Sequence, residues 1–169
     1  FLAAADLEKA KAEVEKAGVA DLAGHLQDGG DVVRANAAPA LGVIGAPAAP
    51  AALGLGTLLK DDAPKVRLAA AQALDKVGDA AVIEVADHLV GALGDTDEKV
   101  AEVVANVIRA RKGRMISALI RGLETDKPNH GRRIAELINV FDDAVDMLCD
   151  AFESPAVNVQ VNAALGLDT

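Results

Sequence analysis

The sequence predicts an all-α fold, an α-solenoid of stacked antiparallel helix pairs, and three observations lead there. A Val-to-Leu octet returns along the chain at Val33–Leu41, Val66–Leu74, Val100–Ile108 and Val157–Leu165, with a weaker copy at His130–Ile138. Successive copies start 33, 34, 30 and 27 residues apart, the period of a helix–turn–helix repeat. Apolar residues make up 51% of the chain but aromatic ones only 2%, with no Trp and no Tyr. A core of Ala, Val, Leu and Ile suits close-packed helices better than a sandwich of sheets, which draws on aromatic and β-branched pairs. Ala is also the strongest helix former. Within a unit, apolar residues recur at i, i+3, i+4 and i+7, the stripe of an amphipathic helix.

Each element follows from local signals. Residues 3–27 read as an early, degenerate helix pair. The first helix of the next unit carries Asp31-Val-Val33-Arg34 through Leu41-Gly42 and closes near Gly45. Its partner, near residues 47–60, contains Pro47, Pro50, Gly54 and Gly56, so it should be weak or kinked. The next first helix opens at Asp62-Ala-Pro64, a helix-start signal, and closes near Gly78. A second helix then spans Val82 to Leu93, ended by Gly94-Asp95. The third unit pairs Val100–Ile108, closing near Gly113, with a helix near 114–124. The fourth pairs His130–Ile138 with a helix near 142–152, and the last opens at Ser154-Pro155.

A lone hairpin cannot bury its apolar face, so neighbours must stack. The expectation is therefore one repeat domain over residues 1–169. Its units are 1–28, 29–61, 62–95, 96–126, 127–152 and a partial 153–169. The chain begins at Phe1 without an initiator Met and stops around a first helix. That predicts a piece of a longer array, with an uncapped final repeat open to self-association.

The motif residues are Val33-Arg34, Leu41-Gly42 and Gly45, then Val66-Arg67, Leu74 and Gly78-Asp79, and finally Val157 and Leu165-Gly166. Over about residues 29–167 they resemble the HEAT-like repeat family, in the short bacterial type similar to the repeats of bilin lyases. The resemblance implies a right-handed superhelix whose second helices line a concave face, where such proteins commonly bind partners. It also implies an alternative function, as a subunit of a bilin lyase or related chromophore-handling enzyme.

Anchoring the second helices on Leu59, Leu93, Leu123 and Phe152 aligns three solvent-facing columns. They are Pro50, Glu84, Arg114, Asp143; Leu53, Asp87, Ser117, Asp146; and Thr57, Gly91, Arg121, Asp150. Charge is segregated along the chain. Residues 1–108 carry net −8, residues 109–133 net +6 and residues 134–169 net −7. Two readings of the basic block stand. It docks phosphate or an acidic protein segment, for which Arg offers a planar fork of donors, or it pairs with neighbouring repeats, Arg114 between Glu84 and Asp143 and Arg121 beside Asp150. Arg109, Arg111 and Lys112 fall at the turn between helices with no predicted partner, and form a candidate basic docking turn. Asp143, Asp146 and Asp150 share one helix face and could meet a basic partner.

Chemistry is harder to find. The overall charge of −9 argues against nonspecific binding to nucleic acid or to anionic membrane. No apolar run is long enough to span a membrane. His25, His88 and His130 fall at non-equivalent repeat positions, and no His-x-x-x-His or Cys-x-x-Cys pair exists, which argues against a metal site. Cys149 aligns with Val90 and Ile120, which predicts a buried apolar role. A lone Cys forms no intramolecular disulfide and fits a reducing, cytoplasmic setting. There is no phosphate-binding Gly-x-x-x-x-Gly-Lys motif and no Gly-x-Ser-x-Gly nucleophile motif.

Two enzyme families use HEAT-like repeats, and this sequence departs from the pattern of both. Deoxyhypusine hydroxylases need His-Glu pairs, whereas here His25 and His88 precede Leu and His130 precedes Gly. Alkylpurine DNA glycosylases present aromatic side chains in a basic groove, and this chain has neither Trp nor Tyr. The expectation is a noncatalytic scaffold or adaptor without cofactor or metal. Its predicted surface for a protein or peptide comprises Glu84, Asp87, Arg114, Ser117, Arg121, Asp143, Asp146 and Asp150.

Overall fold

The computed structural model describes residues 4–125, 127–139, 146, 149, 153 and 155–167. These residues are all-α and contain no strand. They divide into two compact units, Phe1–Val85 and Ala86–Thr169.

The first unit holds α1 (Ala4–His25), α2 (Asp31–Ile44), a 3₁₀ segment (Ala46–Ala51), α3 (Ala52–Leu58), α4 (Pro64–Val77) and α5 (Asp79–Glu84). Two glycines end its first helices. Gly45 (φ 75) closes α2 and Gly78 (φ 110) closes α4, and each donates its amide back to Leu41 or Leu74. Their backbone angles lie where a Cβ would be strained, so Gly is required at both. Along α4 the buried stripe is Val66, Ala70, Ala73, Leu74 and Val77. These small residues let α2 lie close: a Cβ added to Gly42 would stand 3.2 Å from the Ala73 backbone. Pro47 and Pro50 turn the start of the next helix into the 3₁₀ segment, because neither residue has an amide to donate. A third proline, Pro39, sits inside α2 on its exposed side.

The second unit holds α6 (Ala86–Ala92), α7 (Glu98–Arg109), α8 (Lys112–Gly122), α9 (Pro128–Ile138) and α10 (Val157–Leu167). Asp97 caps α7, accepting from the Lys99 amide at 3.0 Å. The core takes Val100, Val104 and Ile108 from α7, and Met115, Leu119 and Leu123 from α8 and its end. From α9 it takes Ile134 and Ile138. Burying each such side chain contributes about 1.5–3 kcal/mol. Gly122 allows α6 to approach, since a Cβ there would overlap Val90. Gly131 lies against the Asn162 amide in the same way.

Two element boundaries differ from expectation. The helix predicted from Val82 to Leu93 is broken at Val85 (φ −108, ψ 24) into α5 and α6. Its β-branched run Val82-Ile83 followed by Val85 carries low helix propensity. Gly113 does not end α7; it lies inside the first turn of α8, and α7 closes through Ala110 (φ −62, ψ −20) with no positive φ.

One device recurs where a second helix passes to the next first helix. Asp28 Oδ1 accepts from the Gly30 amide at 2.7 Å, Asp61 Oδ1 from Ala63 at 3.0 Å, and Asp95 Oδ1 from Asp97 at 2.8 Å. Thr125 Oγ1 takes the same part with Lys127 at 3.3 Å. Each is a side-chain turn closing onto the amide two residues on. The motif arginines build on these turns. Arg34 donates Nη1 to the Asp28 carbonyl at 2.7 Å, and its Nε and Nη2 to the two Asp61 oxygens at 2.7 and 3.0 Å. Arg67 donates to the Asp61 carbonyl at 2.7 Å. The Arg34 guanidinium holds the Asp61 carboxyl below the usual carboxylate range, and the Ala63 amide adds to this. Asp31, half-buried and bonded to Lys65 at 2.7 Å, is lowered as well.

Candidate partner-binding face

The face begins with the buried stripe of α8. Met115, Ala118 and Leu119 point into the core, so Arg114, Ser117 and Arg121, three, four and seven residues apart, share the exposed side. On α6, Leu89 and Val90 are buried while Asp87 and Gly91 face out. The close approach at Gly122 brings these two exposed sides together. Arg121 donates Nη2 and Nε to Asp87 Oδ1 at 2.7 and 3.2 Å. Both side chains stay more than half exposed, at 58% and 67%. Such a pair contributes about 0–1 kcal/mol.

The geometry adds a pair that the column alignment did not anticipate. Arg121 reaches back one turn to Asp87 on the preceding second helix; its expected neighbour Asp150 lies outside the described residues. The column alignment placed it opposite Gly91, and its long side chain spans the diagonal instead. Glu84, at the end of α5 in the first unit, is exposed, as is Asp146. Asp143 and Asp150 lie outside the described residues, as does the helix predicted over 142–152 apart from residues 146 and 149.

At the candidate basic docking turn, two arginines have local partners that the sequence did not predict. Arg109 donates to Asn106 Oδ1 at 3.0 Å, and Arg111 donates to the Val107 carbonyl at 3.0 Å. Both arginines thus satisfy groups in the last turn of α7, where a cation also offsets the negative end of the helix dipole. The Lys112 backbone opens α8. Further along the basic block, Arg132 pairs with Glu136 at 2.9 Å one turn on, and Arg133 bonds Glu98 at 2.6 Å and the Leu93 carbonyl at 3.1 Å. Arg109 and Arg133 border a small cleft of about 200 Å³ together with Glu98, Glu102 and Glu136, so acids answer these bases.

Two residues missed in the sequence hold this unit together. His130 packs on Gly94, with Nε2 2.8 Å from the Val90 carbonyl and Nδ1 3.3 Å from Thr125 Oγ1. Asn162, 3% exposed, donates its amide to the Leu123 and Thr125 carbonyls at 2.8 and 3.1 Å. Each satisfies carbonyls at a second-helix end, the groups a helix leaves without internal partners. Cys149 is exposed, not buried. One residue of slip on a helix rotates a side chain by about 100°, and the drifting repeat length makes such a slip easy.

Among the described residues, no three His, Cys, Asp or Glu side chains gather as a metal site requires, and no helix is long and apolar enough to cross a membrane.

A family model of HEAT repeats matches residues 19–109, more than half of the chain. The chain belongs to the HEAT-repeat family. HEAT repeats generally mediate protein–protein interaction, and the fold described above is the helical-repeat fold expected of them. No curated protein matches the sequence significantly. Among solved structures, an engineered protein from a structural genomics consortium is similar at 22% identity and a TM-score of 0.49, over 88% of this chain and 77% of its own.

Proposed function

We propose that this HEAT-repeat chain is a noncatalytic scaffold or adaptor that binds a protein or peptide through its second-helix face. The observation that carries this reading is the stripe Arg114, Ser117 and Arg121 on α8, continued by Asp87 on α6, all exposed. Solvent-facing polar groups on rigid packed helices are pre-organised for a partner and lose little order on binding. Asp146, also exposed, holds a second-helix position in the same unit. The partner reads charge here, because the face offers both signs.

Charge reversal tests it. R114E with R121E should abolish capture of the partner by the full chain while the helical signal is retained. The exchange D87R with R121E rebuilds the ion pair with its polarity inverted. Capture should still fall, which separates reading of charge from simple loss of the pair. Unchanged capture in both variants would remove this face from consideration.

A further inference from the structure

We propose that Asp28 and Gly29 form a modification site, where the chain rearranges to an isoaspartyl linkage with the assistance of Arg34. This is the one Asp-Gly pair in the sequence. It lies in the first unit, in the turn between α1 and α2, and residues 27–30 are all exposed.

Three features of the turn favour the step. The first is an unhindered nucleophile. Gly29 has no side chain to crowd its nitrogen, and a Cβ built on it would meet nothing within 4 Å. The second is the pose of the carboxyl. Asp28 Oδ1 accepts from the Gly30 amide at 2.7 Å, closing a ring of bonds that runs through the Gly29 nitrogen. The third is a cation on the reacting peptide group. Arg34 Nη1 donates to the Asp28 carbonyl at 2.7 Å, while Asp61 holds its Nε and Nη2. That carbonyl and the Gly29 N–H belong to one peptide unit. A guanidinium on the oxygen draws charge from the nitrogen and makes its proton easier to lose.

The chemistry is internal to the chain. The Gly29 nitrogen bonds to Asp28 Cγ and gives up its proton; the protonated carboxyl gives up its hydroxyl, and the two leave as one water. The product is a five-membered imide. Water then adds to one of its two carbonyls, and the C–N bond there breaks. Attack at Cγ restores aspartate. Attack at the former main-chain carbonyl leaves the chain running through Cγ, one atom longer, with the old α-carboxyl free. Arg34 faces the oxygen that turns negative in this second attack, and stabilises it as an oxyanion-hole donor does. In the product it faces a carboxylate in place of a neutral carbonyl. Two other turns supply the contrast. Asp61 and Asp95 close the same ring onto Ala63 and Asp97, but Asp62 and Thr96 follow them, and their side chains crowd the nitrogen. The site is independent of the charged face on α6 and α8, so either reading can fail alone.

The test holds the full chain for weeks in neutral buffer at physiological temperature. Isoaspartate is measured by methyl transfer from S-adenosylmethionine with an isoaspartyl methyltransferase, and electron-transfer fragmentation locates it. It should accumulate at residue 28 and not at residues 61 or 95. G29A, whose methyl meets open space at a residue without positive φ, should abolish it with the helical signal unchanged. R34M should slow it by about threefold or more, through loss of the donor to the reacting carbonyl. If Arg34 only braced the turn, its loss would loosen the turn and speed the step. R34K also loses the fork onto Asp61 but keeps a cation, and should recover part of the rate. No isoaspartate at residue 28, or an undiminished amount in G29A, would overturn the site. A rate in R34M equal to or above that of the parent, or R34K no faster than R34M, would overturn the assistance by Arg34.

Discussion

Removing the Asp61 carboxylate should cost the first unit about 2–3 kcal/mol, on the scale of hydrogen bonds to charged groups. The side chain is 8% exposed and that of Arg34 17%, so water replaces little of what is lost. Asp61 has two tasks: it closes the turn onto the Ala63 amide, and it receives both remaining arms of the Arg34 fork. D61A removes both. D61N keeps an acceptor for Ala63 but loses the charge, and should cost about 1 kcal/mol less than D61A. In a chain of this length each kcal/mol moves the melting temperature by about 2–4 °C. A double-mutant cycle with R34M should return a coupling of about 1–2 kcal/mol. Repeat stability is a sum of local and neighbour terms, so amide exchange across α2 and α4 should accelerate before that of α8 and α9. Acid provides a second readout. The folded carboxyl lies below its usual value, so its contribution is complete above the unfolded value near 4 and disappears as pH falls through the lower folded value. D61N should flatten that acid-side loss. A coupling within about 0.3 kcal/mol of zero would refute the reasoning, because the fork would then be worth no more than a surface pair.

Other substitutions probe other parts of the fold. G131A should destabilise by about 1–3 kcal/mol despite its better helix propensity, because the methyl meets the Asn162 amide; chemical denaturation checks this. N162L leaves the Leu123 and Thr125 carbonyls without their donor and should cost about 1–3 kcal/mol by the same assay. P39A restores an amide in the interior of α2 and should stabilise by about 1–3 kcal/mol, seen as a raised melting temperature. R121A should change stability by no more than about 1 kcal/mol, since its pair with Asp87 is exposed; that makes it a clean probe of binding.

The helices were legible because their signals are local. The octets, the prolines at helix starts and the glycines at positions 45 and 78 each act within a turn of the residue that carries them. The exposed sides of α6 and α8 were legible for the same reason: once Met115 and Leu119 are inward, Arg114 and Arg121 have to be outward. Pairing was not legible, because a long side chain chooses among several neighbours. Arg121 took the diagonal Asp87, and Arg109 and Arg111 turned back onto their own helix. The break at Val85 left only a weak trace, a β-branched run with no Gly or Pro to mark it. The position of Cys149 was lost through the varying repeat length, since register carried over several units accumulates error.

The turn aspartates form a second periodic signal beside the apolar one. Asp28, Asp61 and Asp95 each stand five residues before Val33, Val66 and Val100, and Thr125 stands five before His130. The constant need is to satisfy backbone groups where one hairpin passes to the next; what varies is the side chain that does so. In the first unit, Arg34 and Arg67 satisfy the carbonyls of Asp28 and Asp61. In the second, where Ala101 and Gly131 follow the motif, the carbonyls of Val90, Leu93, Leu123 and Thr125 are reached by His130, Arg133 and Asn162. Loss of the Val-Arg signature therefore marks a change in capping chemistry and not a loss of the repeat. It follows that Asn162 and His130 are as structural as Arg34.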